Sequence, residues 1–265
     1  MTSQHDQRWA LILGASSGFG GATAVELARS GFDVFGVHLD RRATLPEAER
    51  VQKAIREQGR EAHFFNVNAA DPAKRAEVLD GIRGALPDGG GIDVLLHSLA
   101  FGTLIPFVSE PNEASVSGKQ MDMTLDVMAH SLVYWVQDLS QQGFLRNGSK
   151  VFAMTSAGST RVWPTYGPVS AAKAALESHI RQLAYELAPR GISVNGIRAG
   201  VTDTPSLRKI PGSDALKEGA RRRNPSGRLT VPEDIARAIA ALSDPRTYWM
   251  TGNVIGVDGG EDIVG

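Results

Sequence analysis

The feature that most constrains the fold is an apolar run that ends in a glycine turn near the start of the chain. Trp9 to Leu13 are all apolar, as expected of a strand that is buried on both faces of a parallel sheet. The run leads directly into the sequence GASSGFG at 14–20, and residues 22–29 then have helical spacing. Glycines let a backbone approach a pyrophosphate, whose charge the free N–H groups and the helix dipole stabilise. The predicted phosphate site consists of Gly14, Ser16, Ser17, Gly18, Phe19 and Gly20.

Further apolar runs alternate with segments of helical spacing along the rest of the chain. The predicted strands cover 9–13, 33–38, 62–67, 92–96, 150–154, 192–197 and 254–257. The predicted helices include 46–58, 119–142, 168–187 and 232–242. Such alternation predicts one doubly wound α/β domain of the Rossmann type over residues 1–265, with a seven-stranded parallel sheet. The segment 200–224 has few apolar anchors, so we expect it to be a mobile lid over the substrate.

Composition excludes several classes of function. The chain has 28 Lys and Arg against 29 Asp and Glu, so it lacks the basic footprint that nucleic acid or an anionic membrane requires. It has no cysteine, which excludes disulfides and thiolate chemistry and fits a reducing compartment. The polar residues 1–8 do not resemble a secretory signal, and no apolar run approaches the roughly 18 residues of a membrane helix. We therefore expect a cytoplasmic protein without nucleic-acid or membrane partners.

The residues that follow the second predicted strand bear on the choice of cofactor. Ligands of doubly wound folds bind at the carboxyl ends of the strands. Asp40, Arg41 and Arg42 lie close to the distance from the glycine turn at which such folds contact the adenosine ribose. A carboxylate suits a free ribose diol and guanidiniums suit a 2′-phosphate, so NADH is possible and the arginine pair favours NADPH. Asn66 and Val67, at the end of the third strand, are expected beside the adenine.

A tyrosine and a lysine at the start of a later helix form the candidate catalytic pair. Tyr166 can donate a hydrogen bond to a developing oxyanion, and the ammonium of Lys173 lowers the cost of charge on the phenol. Pro168 is favoured at the first position of a helix and disfavours helical geometry at the residue before it. We therefore expect Tyr166 just outside the helix and Lys173 inside it, with Ser156 at the end of the preceding strand.

These motifs together resemble the short-chain dehydrogenase/reductase family over nearly the whole chain. The similarity rests on the glycine turn at 14–20, on Ser156 ahead of Tyr166 and Lys173, and on the sequence VDGG at 257–260. Common members of the family carry the tyrosine four residues before the lysine, where this chain has Val169.

The spacing of seven residues between the tyrosine and the lysine resembles the enoyl-acyl-carrier-protein reductase branch of that family. The sequence HSLAFG at 97–102, Asp126 and the sequence NPSGRL at 224–229 resemble the same branch. Its best-known bacterial members carry a second tyrosine where this chain has Ser156, which is similar to the divergent Bacillus-like type and also to carbonyl-reducing relatives. The resemblance implies NAD(P)H-dependent reduction of the C2–C3 double bond of a 2-enoyl thioester, in fatty acid synthesis, on acyl-carrier protein or CoA.

The resemblance also implies roles for individual residues. Tyr166 would donate to the enolate oxygen, Lys173 would hold the nicotinamide ribose, and Ser156 would either give a second hydrogen bond or shape the pocket. The residues implied in contact with the cofactor are Ser98, Leu99, Ala100, Gly200, Thr202 and Thr204. The long helices at 119–142 and 168–188 would pack against other copies of the chain in a homo-tetramer or homo-dimer.

Two other functions stay open. A carbonyl reductase of 3-oxoacyl thioesters or other ketones would need its phenol three residues later, roughly 4.5 Å along a helix. A non-catalytic NADPH-sensing protein would have no need of a proton-donating pair. His97 and His130 lack the spacing of metal ligands, so we expect no metal site. We expect Arg221 to Arg223 to form a solvated charge run rather than to steer an acidic carrier or a CoA phosphate to the lid.

Overall fold

The apolar runs of the sequence become the strands of one parallel sheet. The structure, a computed structural model, describes residues 7–264. The seven strands are β1 (Arg8–Leu13), β2 (Phe32–His38), β3 (Ala62–Asn66), β4 (Ile92–His97), β5 (Leu145–Ser156), β6 (Ser193–Ala199) and β7 (Val254–Val257). Their order is β3-β2-β1-β4-β5-β6-β7, and all neighbours are parallel. The order reverses between β1 and β4, which places a ligand crevice at their carboxyl ends and confirms the predicted fold class.

Helices cover both faces of this sheet. Successive side chains of a strand point to opposite faces, and both faces of the sheet carry apolar side chains. Leu11 belongs to an apolar cluster with Trp135 and Leu176, whereas the next residue, Ile12, belongs to a second cluster with Leu27. The helices are α1 (Gly18–Arg29), α2 (Leu45–Arg56), α3 (Pro72–Ala85), α4 (Gly118–Leu125), α5 (Ser131–Gln141), α6 (Gly167–Leu187), α7 (Ser213–Arg223) and α8 (Pro232–Leu242). The strands β1, β4 and β5 are therefore buried on both sides, as their sequences require.

The helix predicted over 119–142 is interrupted. A π-helical turn, Asp126–His130, separates α4 from α5. The hydroxyl of Ser131 donates to the carbonyl of Val127 (2.8 Å) and also contacts the buried ring of His97 at the end of β4 (2.8 Å). Hydroxyls that bond back along a helix tend to bend it, and π turns are frequent at functional sites. A single uninterrupted helix was the wrong prediction here, because this buried contact cannot be read from helical spacing.

The lead-in to α6 follows the prediction closely. Tyr166 is the residue that precedes the helix, which confirms its place outside the first turn. The helix begins at Gly167 rather than at Pro168, so the proline occupies the second helical position. It still restricts the start of the helix, because its ring fixes φ and its missing N–H would have no helical partner there.

The predicted lid, 200–224, has a structure of its own. It contains a 3₁₀ turn, Leu207–Lys209, and the helix α7, and several of its side chains line the cavity described below. Its mobility stays a prediction. None of the described helices is both long and apolar enough to cross a membrane. Residues 1–6, on which part of the N-terminal prediction depends, and residue 265 lie outside the described range.

Candidate active site

The glycine turn between β1 and α1 leaves no room for a side chain at two of its positions. A Cβ atom on Gly14 would lie 2.4 Å from the carbonyl oxygen of Ser98, and one on Gly20 would lie 2.0 Å from the carbonyl oxygen of Gly14. Gly14 and Gly18 also have φ values of 92° and 54°, which side chains disfavour. The turn opens directly into the N-terminus of α1. Such a cradle fits the pyrophosphate of a dinucleotide, because its bare backbone and the helix dipole both stabilise anions.

Asp40 lies beside this turn at the end of β2. Its carboxylate is 2.8 Å from the ring Nδ1 of His38. Burial acts to raise the pKa of Asp40, but the nearby hydroxyls of Thr44 and Ser16 and the ring of His38 hold it below its ordinary value. The carboxylate is therefore ionised at neutral pH, next to Ser16 of the glycine turn.

The other residues predicted at the adenosine end either bond to the backbone near Asp40 or lie in solvent. The side-chain amide of Asn66 accepts from the N–H of Asp40 (2.9 Å) and donates to its carbonyl oxygen (3.0 Å), so it fixes the loop that carries the carboxylate. Val67 is half-buried, and its N–H donates to the carbonyl of His38 (2.8 Å). Arg41 and Arg42 are both exposed. The structure thus brings Asp40 to the glycine turn and leaves the two arginines in solvent.

A cavity of about 520 Å³ opens at the carboxyl ends of β4, β5 and β6. Most of its lining comes from the loops that follow these strands, together with α6 and the predicted lid. The predicted site residues that share this cavity are Phe19, Ser98, Leu99, Ala100, Ser156, Tyr166, Lys173, Gly200, Thr202 and Thr204. The remaining predicted residues lie along the glycine turn and at the adenosine end, outside this lining. The candidate catalytic groups therefore meet in one cavity.

The phenol of Tyr166 is held between the end of β5 and the start of α6. A Cβ atom on Gly158 would lie 2.5 Å from ring atom Cε1 of Tyr166 and 3.2 Å from the hydroxyl oxygen of Ser156. Burial raises the pKa of Tyr166, and the nearby hydroxyl of Ser156 opposes that shift. The Ser156 oxygen is buried and makes no well-formed hydrogen bond within residues 7–264. Tyr166 therefore keeps its proton at neutral pH, and the serine hydroxyl beside it can bond to a ligand.

Lys173 is buried within α6 and lines the same cavity as Tyr166. Its ammonium donates to the carbonyl oxygen of Met154 on β5 (2.7 Å), and only 6% of the residue is exposed. Burial lowers the pKa of Lys173 to about 8, and the negative charge of Glu177 opposes the shift. The carboxylate of Glu177 in turn accepts a hydrogen bond from Thr155 (2.7 Å). The ammonium is thus charged at pH 7 and fixed to the sheet, with one carboxylate that helps to keep it protonated.

His97 is a buried neutral histidine. Because the single hydroxyl proton of Ser131 goes to Val127, the Nε2–H of His97 must donate to Ser131. Burial and the charge of Lys173 lower the pKa of His97 to about 3. His130 lies 3.0 Å from His179, between ring nitrogens. Among the described residues, no three potential metal ligands lie close enough together to hold an ion.

Sequence reasoning missed a set of charged residues at the far wall of the cavity. Arg161 and Arg198 both pair with Asp262, at 2.9 and 3.1 Å, although they lie on different elements. Arg223 faces Glu261 at 3.7 Å, so its predicted place in a solvated run was wrong, whereas Arg221 and Arg222 are exposed as predicted. The partners are far apart in sequence, so no local pattern could have revealed them.

Comparisons with known proteins agree with this geometry. A family model described as enoyl-(acyl carrier protein) reductase matches residues 14–261. Enoyl-[acyl-carrier-protein] reductase [NADH] FabI of Aquifex aeolicus is 32% identical over 176 residues, which cover 66% of this chain and 64% of that protein. 3-Oxoacyl-[acyl-carrier-protein] reductase FabG of Aggregatibacter actinomycetemcomitans is 30% identical over 254 residues, which cover 94% of this chain and 97% of that protein.

A solved structure supports the same assignment. A short chain dehydrogenase from Burkholderia cenocepacia in complex with NADP is 28% identical and superimposes with a TM-score of 0.80, over 97% of this chain and 98% of that one. The family model covers six of the seven strands, β2 to β7, and every predicted site residue. The chain therefore belongs to the short-chain dehydrogenase/reductase family of oxidoreductases, and within it to the group whose family model is described as enoyl-(acyl carrier protein) reductase.

Proposed function

We propose that the protein reduces the C2–C3 double bond of a 2-enoyl thioester with a nicotinamide dinucleotide. The observation that carries this proposal is the position of the phenol ahead of α6. Val169, which stands where common family members carry their tyrosine, is buried in an apolar cluster with Met128 and Ala172. The only tyrosine that lines the cavity within residues 7–264 is Tyr166, three residues earlier. That spacing supports alkene reduction over ketone reduction, and the apolar cluster beside it suits an acyl chain.

The chain's own residues supply a proton donor and a positive potential. When bound, the reduced nicotinamide supplies the hydride. Tyr166 donates a hydrogen bond to the thioester oxygen as negative charge develops there, a contribution of about 3 kcal/mol for one well-placed donor. Its pKa is raised by burial, so the proton is present at neutral pH. Lys173, whose ammonium donates to the carbonyl oxygen of Met154, adds positive potential in the same cavity. Ser156 gives a second hydrogen bond or shapes the pocket.

The choice between the two cofactors depends on the adenosine end of the crevice. The sequence favoured NADPH because of Arg41 and Arg42, which are exposed. The ionised Asp40 beside Ser16 supports the other choice, NADH, since a carboxylate bonds to a ribose diol and repels a 2′-phosphate. We therefore propose that the protein uses NADH at least as well as NADPH.

The second candidate is reduction of a 3-oxoacyl thioester. It is favoured by the free hydroxyl of Ser156 next to the phenol, which could bond to a ketone oxygen. The similarity to a 3-oxoacyl reductase over nearly the whole chain also favours it. The acyl carrier, acyl-carrier protein or CoA, and self-association through the helices α4 to α6 stay predictions.

Matched thioesters separate these functions. We expect the purified protein to oxidise NADH or NADPH with crotonyl-CoA and to react far more slowly with acetoacetyl-CoA. Tyr166→Phe removes the proposed donor, so we expect kcat to fall by about 100-fold or more while cofactor affinity changes little. Turnover of acetoacetyl-CoA alone would establish the second candidate instead. Tight cofactor binding without turnover of either substrate would favour the third function, a non-catalytic NADPH-sensing protein.

A further inference from the structure

A residue with an unusual backbone conformation directly precedes the candidate catalytic tyrosine. Thr165 has φ of 63°, in the left-handed region, and only Asn112 shares that region among the non-glycine residues of the described range. Asparagine tolerates this conformation, but a β-branched side chain clashes with its own backbone there. Strained residues of this kind persist only where the surrounding structure enforces them, and they cluster at active sites.

The strain has a local origin in a tight turn. The N–H of Tyr166 donates to the carbonyl oxygen of Trp163 at 3.1 Å, which closes a four-residue turn over 163–166. Pro164 occupies its second position and Thr165 its third. Proline at the second position and positive φ at the third define a type II turn, in which glycine or asparagine is the usual third residue. This chain has threonine instead, and its buried hydroxyl makes no hydrogen bond within residues 7–264.

The two ends of this turn hold two parts of the site. At its end, Tyr166 begins α6 with its ring against Gly158. At its start, the indole N–H of Trp163 donates to the carbonyl oxygen of Pro211 in the lid (3.2 Å). The same ring lies 3.5 Å from the place of a Cβ atom on Gly212, the residue that precedes α7. One rigid turn therefore lies between the phenol and the lid.

We propose that the turn 163–166 is a positioning device, in which Thr165 fixes the phenol of Tyr166 and Trp163 docks the lid. A residue that carries a Cβ atom has less backbone freedom than glycine, so in this conformation it keeps the two ends at one separation, whereas glycine would let them move independently. Trp163 and Thr165 act through other groups and do not themselves supply the proton. This inference rests on the proposed function, because it assigns its role through Tyr166.

The test compares Thr165→Gly with Thr165→Asn. Glycine relaxes the turn, so we expect kcat to fall and KM for the thioester to rise, each by about tenfold. Asparagine adopts the same conformation readily and stays more rigid than glycine, so we expect kcat within about threefold of the wild-type value. Asn112→Gly, at the exposed loop position that shares the conformation, is the matched control and should leave both constants unchanged.

Trp163→Phe separates the two ends of the turn. It keeps an aromatic ring but removes the donor to Pro211, so we expect KM to rise with kcat nearly unchanged. A readout without turnover follows the phenol directly: titration by absorbance, taken as the difference from Tyr166→Phe. In Thr165→Gly the phenol should titrate at lower pH than in the wild type, because it is less buried, and in Trp163→Phe it should not change.

These outcomes distinguish failure of this inference from failure of the proposed function. If neither thioester reacts, the proposed function fails, and the absorbance titration still tests the turn. If Thr165→Gly leaves the phenol titration and the kinetic constants unchanged, the positioning role is refuted. If Thr165→Asn is impaired as much as Thr165→Gly, the threonine side chain itself matters rather than the conformation, and the proposal is equally wrong.

Discussion

Backbone forms the phosphate end of the crevice, whereas side chains form its catalytic end. At the phosphate end, Cβ atoms added to Gly14 and Gly20 would lie only 2.4 and 2.0 Å from backbone carbonyl oxygens. At the catalytic end, burial shifts the pKa of Tyr166 upward and that of Lys173 down to about 8. Changes at the phosphate end should therefore affect dinucleotide binding, and changes at the catalytic end should affect turnover.

The largest effect is expected from Gly20→Ala. The new methyl group would lie 2.0 Å from a backbone oxygen that cannot move without shifting the whole turn. We expect a loss of roughly 3 kcal/mol or more in the free energy of unfolding, and loss of dinucleotide binding. Urea denaturation and a fluorescence titration with NADH measure the two quantities.

The control for this change is Gly84→Ala in α3. A Cβ atom there has nothing within 4 Å, and the residue is exposed. Replacing glycine by alanine in a helix should therefore stabilise the protein by about 0.5–1 kcal/mol. If Gly20→Ala were as stable as the control and still bound NADH, the steric account of the phosphate turn would be wrong.

A steric change at the catalytic end should act differently. Gly158→Ala would push a methyl group against the Tyr166 ring and the Ser156 hydroxyl, at 2.5 and 3.2 Å. Because the phenol is displaced rather than the phosphate turn, we expect kcat/KM to fall by about 100-fold with dinucleotide affinity nearly unchanged. Steady-state kinetics and a binding titration on the same preparation check this. Equal losses in both quantities would show that the two ends are not separable.

Near the phosphate end, the side chain of Asp40 is expected to affect the choice between NADH and NADPH. Asp40→Asn removes the charge at constant size, so we expect the ratio of kcat/KM with NADPH to that with NADH to rise by about tenfold. Kinetics with both cofactors measures the ratio. Arg41→Ala is the complementary change: if it lowers NADPH use strongly while Asp40→Asn has no effect, the exposed arginines select the cofactor.

The same division explains how much could be predicted from the sequence. The sheet, the glycine turn and the place of Tyr166 before α6 follow from local patterns: continuous apolar runs, glycine spacing and Pro168. The π turn at Asp126–His130 and the strained Thr165 depend on how neighbouring elements pack, which periodicity does not encode.

Charged side chains were the least predictable part of the site. Arg223 was expected in solvent with its two neighbours but faces Glu261 in the cavity wall. Arg161 reaches Asp262 across 101 residues of sequence. Whether such a charge is solvated or paired depends on long-range contacts, so composition and local spacing give no information about it.

The smallest expected effect, and the most direct test of electrostatic tuning, is that of Glu177→Gln. Glutamine can still accept the hydrogen bond of Thr155, but it removes the negative charge that raises the pKa of Lys173 against burial. The pKa of Lys173 should therefore fall below its present value of about 8. If the reaction needs the ammonium, activity is present below that pKa and lost as pH rises through it. The alkaline limb of the kcat/KM profile should then move to lower pH, with activity at pH 8 reduced by about threefold to tenfold and little change at pH 6.

Glu186→Gln, an exposed change on the same helix, is the control and should leave the profile in place. An unchanged alkaline limb in Glu177→Gln would show that the charge on Lys173 does not limit the reaction, and the catalytic end would then depend on geometry alone.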